Sequence, residues 1–202
     1  MRINLYVIRN LETDREVIAS LAMTREDEND SFRNYLQQTD GTVLDDMVHR
    51  INDTITPLID CTSCGACCRT LMINVVDDEA RSLAGQLELS IENFKEKFIE
   101  TSEQGLMIMN SIPCVFLTDK KCTVYHHRFN ECREFPHLHK PGFTSRLFGT
   151  LMHYGRCPII YNVIEELKHT TSFKTGEPSF ASEQQSEERL PGVNKSTKIK
   201  GY

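Results

Sequence analysis

The octet Cys61-Thr-Ser-Cys64-Gly-Ala-Cys67-Cys68 sets four thiols within eight residues. Four more follow singly at Cys114, Cys122, Cys132 and Cys157, and none precedes the octet. Eight cysteines in 202 residues exceed what an ordinary core uses, so chemistry must account for them. In a reducing compartment such thiols serve as metal ligands or redox groups rather than as disulfides. The opening stretch, Met1 to Asn10, places charges and amides where a secretory signal needs an apolar run, and no segment is long and apolar enough to span a membrane. A cytoplasmic protein with no membrane partner is therefore expected.

Cys61, Cys64 and Cys67 follow a C-x2-C-x2-C spacing, which lets one tight loop aim three sulfurs at one centre. Bacterial ferredoxins use this run for three ligands of an iron-sulfur cluster, with a remote Cys-Pro as partner. Cys157-Pro158 is such a residue, and Gly65 makes the tight loop sterically easy. A zinc ribbon would instead show two well-separated pairs. Cys68 cannot easily join its neighbour at one site, because adjacent side chains point in different directions. The expected partition is one group of Cys61, Cys64, Cys67 and Cys157 and a second of Cys68, Cys114, Cys122 and Cys132. Against this stands the plain alternative that one or two of the later cysteines are small buried apolar residues.

Charge is unevenly distributed. Residues 1 to 60 carry twelve acids and six arginines, whereas 114 to 157 carry seven Lys or Arg against three acids. A basic segment can be a nucleic-acid footprint, but thiolate sites are themselves anionic and need cationic neighbours. With an overall net charge of −6, the second reading is preferred and nucleic acid is not an expected partner.

Patterning places elements around the cysteines. Residues 1 to 9 alternate as a short strand, and 11 to 38 fit helix loosely, with 25 to 30 a solvated helix end or loop. Val43, Met47, Ile51 and Ile55 recur at helical spacing from Thr42 to Ile55, with Leu44 and Val48 beside them. His49 on that helix reads as an ordinary surface or core residue. Leu71 to Val76 reads as a strand, Asp77 as the cap of a helix ended by Gly85, and Ser90 as the cap of another. Leu106 to Met109 reads as a strand, and Cys114–Leu117 with Cys122–Tyr125 as a hairpin whose turn lacks glycine. Residues 126 to 134 suit one or two helical turns, and 137 to 156 read as irregular. Pro158 opens a last helix with Ile160, Val163, Ile164 and Leu167 as its stripe. The polar stretch after residue 170 reads as a disordered tail.

No G-x-G-x-x-G, P-loop, H-E-x-x-H or serine nucleophile motif occurs. The octet, Pro113-Cys114-Val-Phe-Leu117, Cys122-Thr-Val-Tyr125, Arg128, Cys132-Arg133-Glu-Phe-Pro136 and Cys157-Pro158 resemble the YkgJ-type CxxCxxCC cysteine-cluster family of zinc- or iron-chelating domains. The resemblance runs from about residue 59 to 168 and covers all eight cysteines in order. Two departures, Phe129 after Arg128 and Val115 after Cys114, stand where the family has proline and leave every sulfur in place. The resemblance implies metal binding through Cys61, Cys64, Cys67, Cys68, Cys114, Cys122, Cys132 and Cys157, with Arg133 as the cation facing the site and His137 as an extra donor to consider. It also brings in flagellin lysine N-methylases, relatives in which an iron-sulfur cluster accompanies methyl transfer from S-adenosylmethionine. No S-adenosylmethionine motif is recognisable here.

The sequence thus predicts a mainly helical small α+β domain with short strands, organised around a cysteine-ligated metal or cluster site. Residues 1–58 would form a helical extension, 59–170 the cysteine-cluster domain and 171–202 the tail. An iron-sulfur cluster is favoured over zinc, with a possible redox role. The alternatives are a protein-modifying enzyme, acting on an unidentified protein substrate, and a structural zinc protein.

Overall fold

The computed structural model describes residues 11–62 and 64–175. The strand expected at 1 to 9 and most of the expected tail lie outside these residues. The fold is a small, mainly helical α+β arrangement with short antiparallel strands.

Three helices occupy the N-terminal part. Asp14 caps α1 (Arg15–Thr24), its Oδ1 accepting the N–H of Glu16 at 2.8 Å and of Val17 at 3.2 Å. Helix α2 (Glu26–Gln37) begins at once, so the acidic run is its first turn rather than a loop. Glu26, Asp27 and Glu28 there face the positive end of the helix dipole. Asp40 caps α3 (Gly41–Ile55) through the N–H groups of Thr42 and Val43. Its buried stripe is Leu44, Val48, Ile51 and Ile55, while Val43 stays exposed.

These helices form one core with the C-terminal part of the chain. Helix α9 (Pro158–Thr170) packs Ile159, Ile160, Val163, Ile164 and Leu167 against α3 and α1. Each such side chain, fully removed from water, contributes about 1.5–3 kcal/mol. Thr171 is buried here too, and Phe173 packs its ring against Phe32 at a tilt, 4.8 Å between ring centroids, so packed structure continues past residue 170.

A second core is built from the middle of the chain. Helices α5 (Asp77–Gln86) and α6 (Ile91–Phe98) pack Leu83, Ala84, Phe94 and Phe98 beside a three-stranded sheet. Its order is β1 (Asn74–Val75), β3 (Met107–Met109), β2 (Ile99–Thr101), with Ile108 opposite both Asn74 and Glu100. A ribbon of β4 (Leu117–Thr118) and β5 (Lys121–Cys122) lies apart from that sheet.

Several local expectations change. Asp77 lies inside the first turn of α5, whose cap is Val76, and Gly85 sits within the helix. Ser90 does cap α6, accepting the Asn93 N–H at 3.2 Å. The hairpin is shorter than expected, and Cys114 precedes it. Its turn lacks glycine because Asp119 itself takes φ 58°. The stretch read as irregular contains α8 (Phe143–Leu151). Its start carries no local cap: the N–H groups of Gly142 and Phe143 donate to Asp45 of α3, at 2.6 and 2.8 Å. A cap supplied by a distant residue leaves no local signal.

Candidate metal centre

The octet crosses from one core to the other, between Ile59 in the first and Ile73 in the second. Asp60 opens it with a side-chain turn, accepting the Thr62 N–H at 2.9 Å, and the Cys64 N–H donates to the Cys61 carbonyl at 3.3 Å. Gly65 then takes φ 62° to start α4 (Ala66–Thr70). A side chain there would meet the Lys120 carbonyl oxygen at 3.0 Å and Arg69 Nη1 at 2.7 Å. Arg69 donates back to the Gly65 carbonyl at 3.1 Å and across to that of Asp119. The turn is thereby tied to the β4–β5 ribbon.

The remaining cysteines arrive from three directions. The Cys114 N–H donates to the Cys68 carbonyl at 2.8 Å, which joins the octet to the segment before β4. Cys122 ends β5. Cys132 rides on α7 (Asn130–Glu134), a single short helix held from outside. Glu131 accepts the Asn74 N–H of β1 at 2.7 Å, and Glu79 of α5 accepts the Asn130 N–H at 2.5 Å. Cys157 is the N-cap residue of α9, where the N–H groups of Ile159 and Ile160 favour its ionised form.

All eight cysteines line one cavity of about 600 Å³ at the seam between the two cores. Their neighbours fall into two sets. Cys157 acts electrostatically on Cys67 and is acted on by Cys61 and Cys64, whereas Cys132 feels Cys68, Cys114 and Cys122. The sets meet where Cys67 Sγ and Cys68 Sγ stand 3.9 Å apart, and Cys132 also reaches Cys67. Burial, with neighbouring thiols adding to it, pushes Cys132 up to about 12. Burial likewise lifts Cys157 to about 12, and raises Cys61, Cys114 and Cys122. Through their mutual hydrogen bond, Cys67 is the easier of the adjacent pair to ionise and Cys68 the harder.

All eight cysteines are free thiols. Among the described residues, no three His, Cys, Asp or Glu side chains converge closely enough to hold a metal ion as they stand. The donor set itself is right for a thiophilic metal: eight sulfurs, with Asp60 the single acid in the lining.

Residues 60–154 match a family described as "Putative zinc- or iron-chelating domain". That family is named CxxCxxCC, and the match covers just under half of the chain. Seven of the eight cysteines fall inside the CxxCxxCC match, and Cys157 lies three residues beyond it. The family supports metal binding by zinc or iron. No curated protein and no solved structure matches the chain. Among the described residues no helix is long and apolar enough to cross a membrane.

The cations around the CxxCxxCC cavity differ from expectation. Arg133 lines it, but its guanidinium is engaged by the Arg128 carbonyl and by Glu79 at 3.6 Å. Among the cations of the lining, Arg128 is the one whose charge favours ionisation of Cys61, Cys122 and Cys132, while Arg69 from α4 acts on Cys68. His137 is not among the lining residues. It takes φ 61°, sets its ring edgewise to Phe135 at 6.2 Å, and offers its carbonyl to Arg146 at 3.0 Å. His49 likewise stays away, with Nε2 at 3.2 Å from the Lys140 carbonyl. Sequence pattern does not single out Arg69, although its place four residues after Gly65 is the spacing of one helical turn.

Proposed function

We propose that the cavity binds iron-sulfur chemistry on two groups of four thiolates and that the protein serves in electron transfer. One observation carries this reading: eight thiols from both cores line a single cavity of about 600 Å³. The sequence supports it further: Cys61, Cys64 and Cys67 at C-x2-C-x2-C spacing with the remote Cys157-Pro158 follow the ligand pattern of iron-sulfur proteins.

Cys61, Cys64, Cys67 and Cys157 would hold one group, and Cys68, Cys114, Cys122 and Cys132 the other. Bound there, iron-sulfur centres supply one-electron chemistry. The chain's own part is to keep each thiolate at the cavity wall, to offer N–H groups to Cys157 from the start of α9, and to exclude bulk water with Ile59, Ile73, Phe116 and Phe129. A cytoplasmic setting goes with this reading, since a reducing compartment keeps thiols available as metal ligands.

The test is iron, zinc and acid-labile sulfide analysis, with a visible spectrum, on protein purified without oxygen. Iron with matching sulfide supports the cluster; stoichiometric zinc without colour makes the site structural. Cys157→Ser and Cys132→Ser should each remove about half of the metal, four of eight thiolates being assigned to each group. Complete loss in either variant would mean a single centre.

A further inference from the structure

Arg128 is left over when the hydrogen bonds and ion pairs of the site are assigned. Its Nε is buried and has no hydrogen-bond partner. Among the described residues, none of the ion pairs includes it. Its guanidinium instead lies over the Tyr125 ring, 3.8 Å from the centroid, at the wall of the thiol cavity. Burying part of a guanidinium without an acid is costly, and stacking on one ring offsets only part of that cost. The other cations of the lining are otherwise placed: Arg133 is held by Glu79, and Lys120 lies in the exposed ribbon turn. Arg128 also reaches both sets of sulfurs, acting on Cys61 in one and on Cys122 and Cys132 in the other.

We propose that Arg128 is the shared counter-cation of both thiolate groups, held on Tyr125 so that its charge offsets the negative charge they carry when metal is bound. The inference rests on the metal-binding reading above. It assigns Arg128 a positioning and charge-balancing part, with no bond to the metal. The anion that completes its environment is the loaded centre itself, which explains why no carboxylate occupies that place. A guanidinium suits the role because it stays charged and lies flat on the Tyr125 ring, and at this partly buried wall an ammonium would keep its charge too.

The experiment compares wild type, Arg128→Gln and Arg128→Lys, all purified without oxygen. Metal content is measured first, then the rate of metal loss to excess chelator, and for coloured protein the reduction midpoint potential. Arg128→Gln should lose metal about 10- to 100-fold faster, the scale on which partners behind the ligands act. Its potential should shift downward, because the reduced centre carries one more negative charge. Arg128→Lys should recover most of both properties, which a purely packing role would not give. Equal metal retention and potential in wild type and Arg128→Gln would overturn the inference, as would an Arg128→Lys protein as defective as the Gln variant. Should the Gln variant fail to fold, the Lys variant decides alone: retention near wild type supports the charge role, and loss of about tenfold or more overturns it. Wild-type protein that binds no metal would instead overturn the reading beneath it.

Discussion

The Arg69 guanidinium donates to the Asp119 carbonyl, fifty residues along the chain, while also donating to the Gly65 carbonyl four residues back. One side chain thereby fixes the cysteine octet against the ribbon that carries Cys122. Arg69→Ala should cost about 1 kcal/mol, a partly exposed charged hydrogen-bonding group being worth less than a buried one. Thermal unfolding should show it as a loss of about 2–4 °C for a chain of this size. Metal loss to chelator should quicken in parallel, and an unchanged rate would mean that the ribbon holds itself in place.

Gly65 meets the same ribbon from the other side. At φ 62° with the Lys120 carbonyl 3.0 Å from any added Cβ, Gly65→Ala combines backbone strain with a clash that no side-chain rotation relieves. The expected cost is about 1–3 kcal/mol. Denaturant unfolding of the metal-free protein measures it without interference from metal, and an unaffected midpoint would refute the strain.

The octet makes the chemistry legible from the residues alone, because eight cysteines leave few other uses. Helices with a local signal are equally legible: helical spacing from Thr42 to Ile55 announces α3, and the cap Ser90 announces α6. What stays hidden depends on distant partners. Helix α8 is started by Asp45, 98 residues before Phe143, and Phe173 joins the first core only because Phe32 and Tyr35 are there to meet it. The sequence points to Arg133, beside Cys132; Glu79, reaching from α5, captures it and leaves Arg128 for the sulfurs.

Asp45 also gives a pH dependence. Burial works to push its carboxyl up, but the N–H groups of Phe143 and Gly142 outweigh this and hold it below the usual carboxylate range. A carboxyl lowered on folding stabilises the fold fully above its unfolded value of about 3.9, and that contribution is lost as pH falls through the lower folded value. Asp45→Asn should therefore lower stability near neutral pH and flatten the acid limb. Unfolding midpoints of both proteins, compared between about pH 6 and pH 3, should converge on acidification. Parallel curves would show that the carboxylate charge is not what starts α8.

A buried cation ties the N-terminal helices to α9. Lys168 Nζ lies 3.0 Å from Glu28 Oε1 of α2 and 2.9 Å from Glu165 Oε1, with 7% of its side chain exposed. Glu165 in turn accepts the Tyr154 hydroxyl at 2.7 Å and pairs with Arg25. Lys168→Met keeps most of the apolar stem and removes one partner from each carboxylate, with Glu165 keeping Tyr154 and Arg25, so it should cost about 1–2 kcal/mol, read from the urea midpoint. Glu28→Gln leaves the pair with Glu165 and should cost less. The reverse order would place the weight of the network on α2 rather than on α9.

Helix α7 tests how the second core delivers a ligand. Its five residues are too few to stay helical alone, so Cys132 is positioned by its neighbours. Glu131 holds the Asn74 N–H at 2.7 Å and its side-chain amide at 3.2 Å, fixing α7 to the edge of the sheet. Glu131→Ala removes both bonds and should reduce metal content toward that of Cys132→Ser, while leaving the group that includes Cys157 loaded. Glu131→Gln retains an acceptor for the backbone N–H and should stay close to wild type. If Glu131→Ala binds metal fully while Cys132→Ser does not, α7 is held by apolar packing of Cys132 and Phe129 on the second core, and the Glu131 bond is incidental to the site.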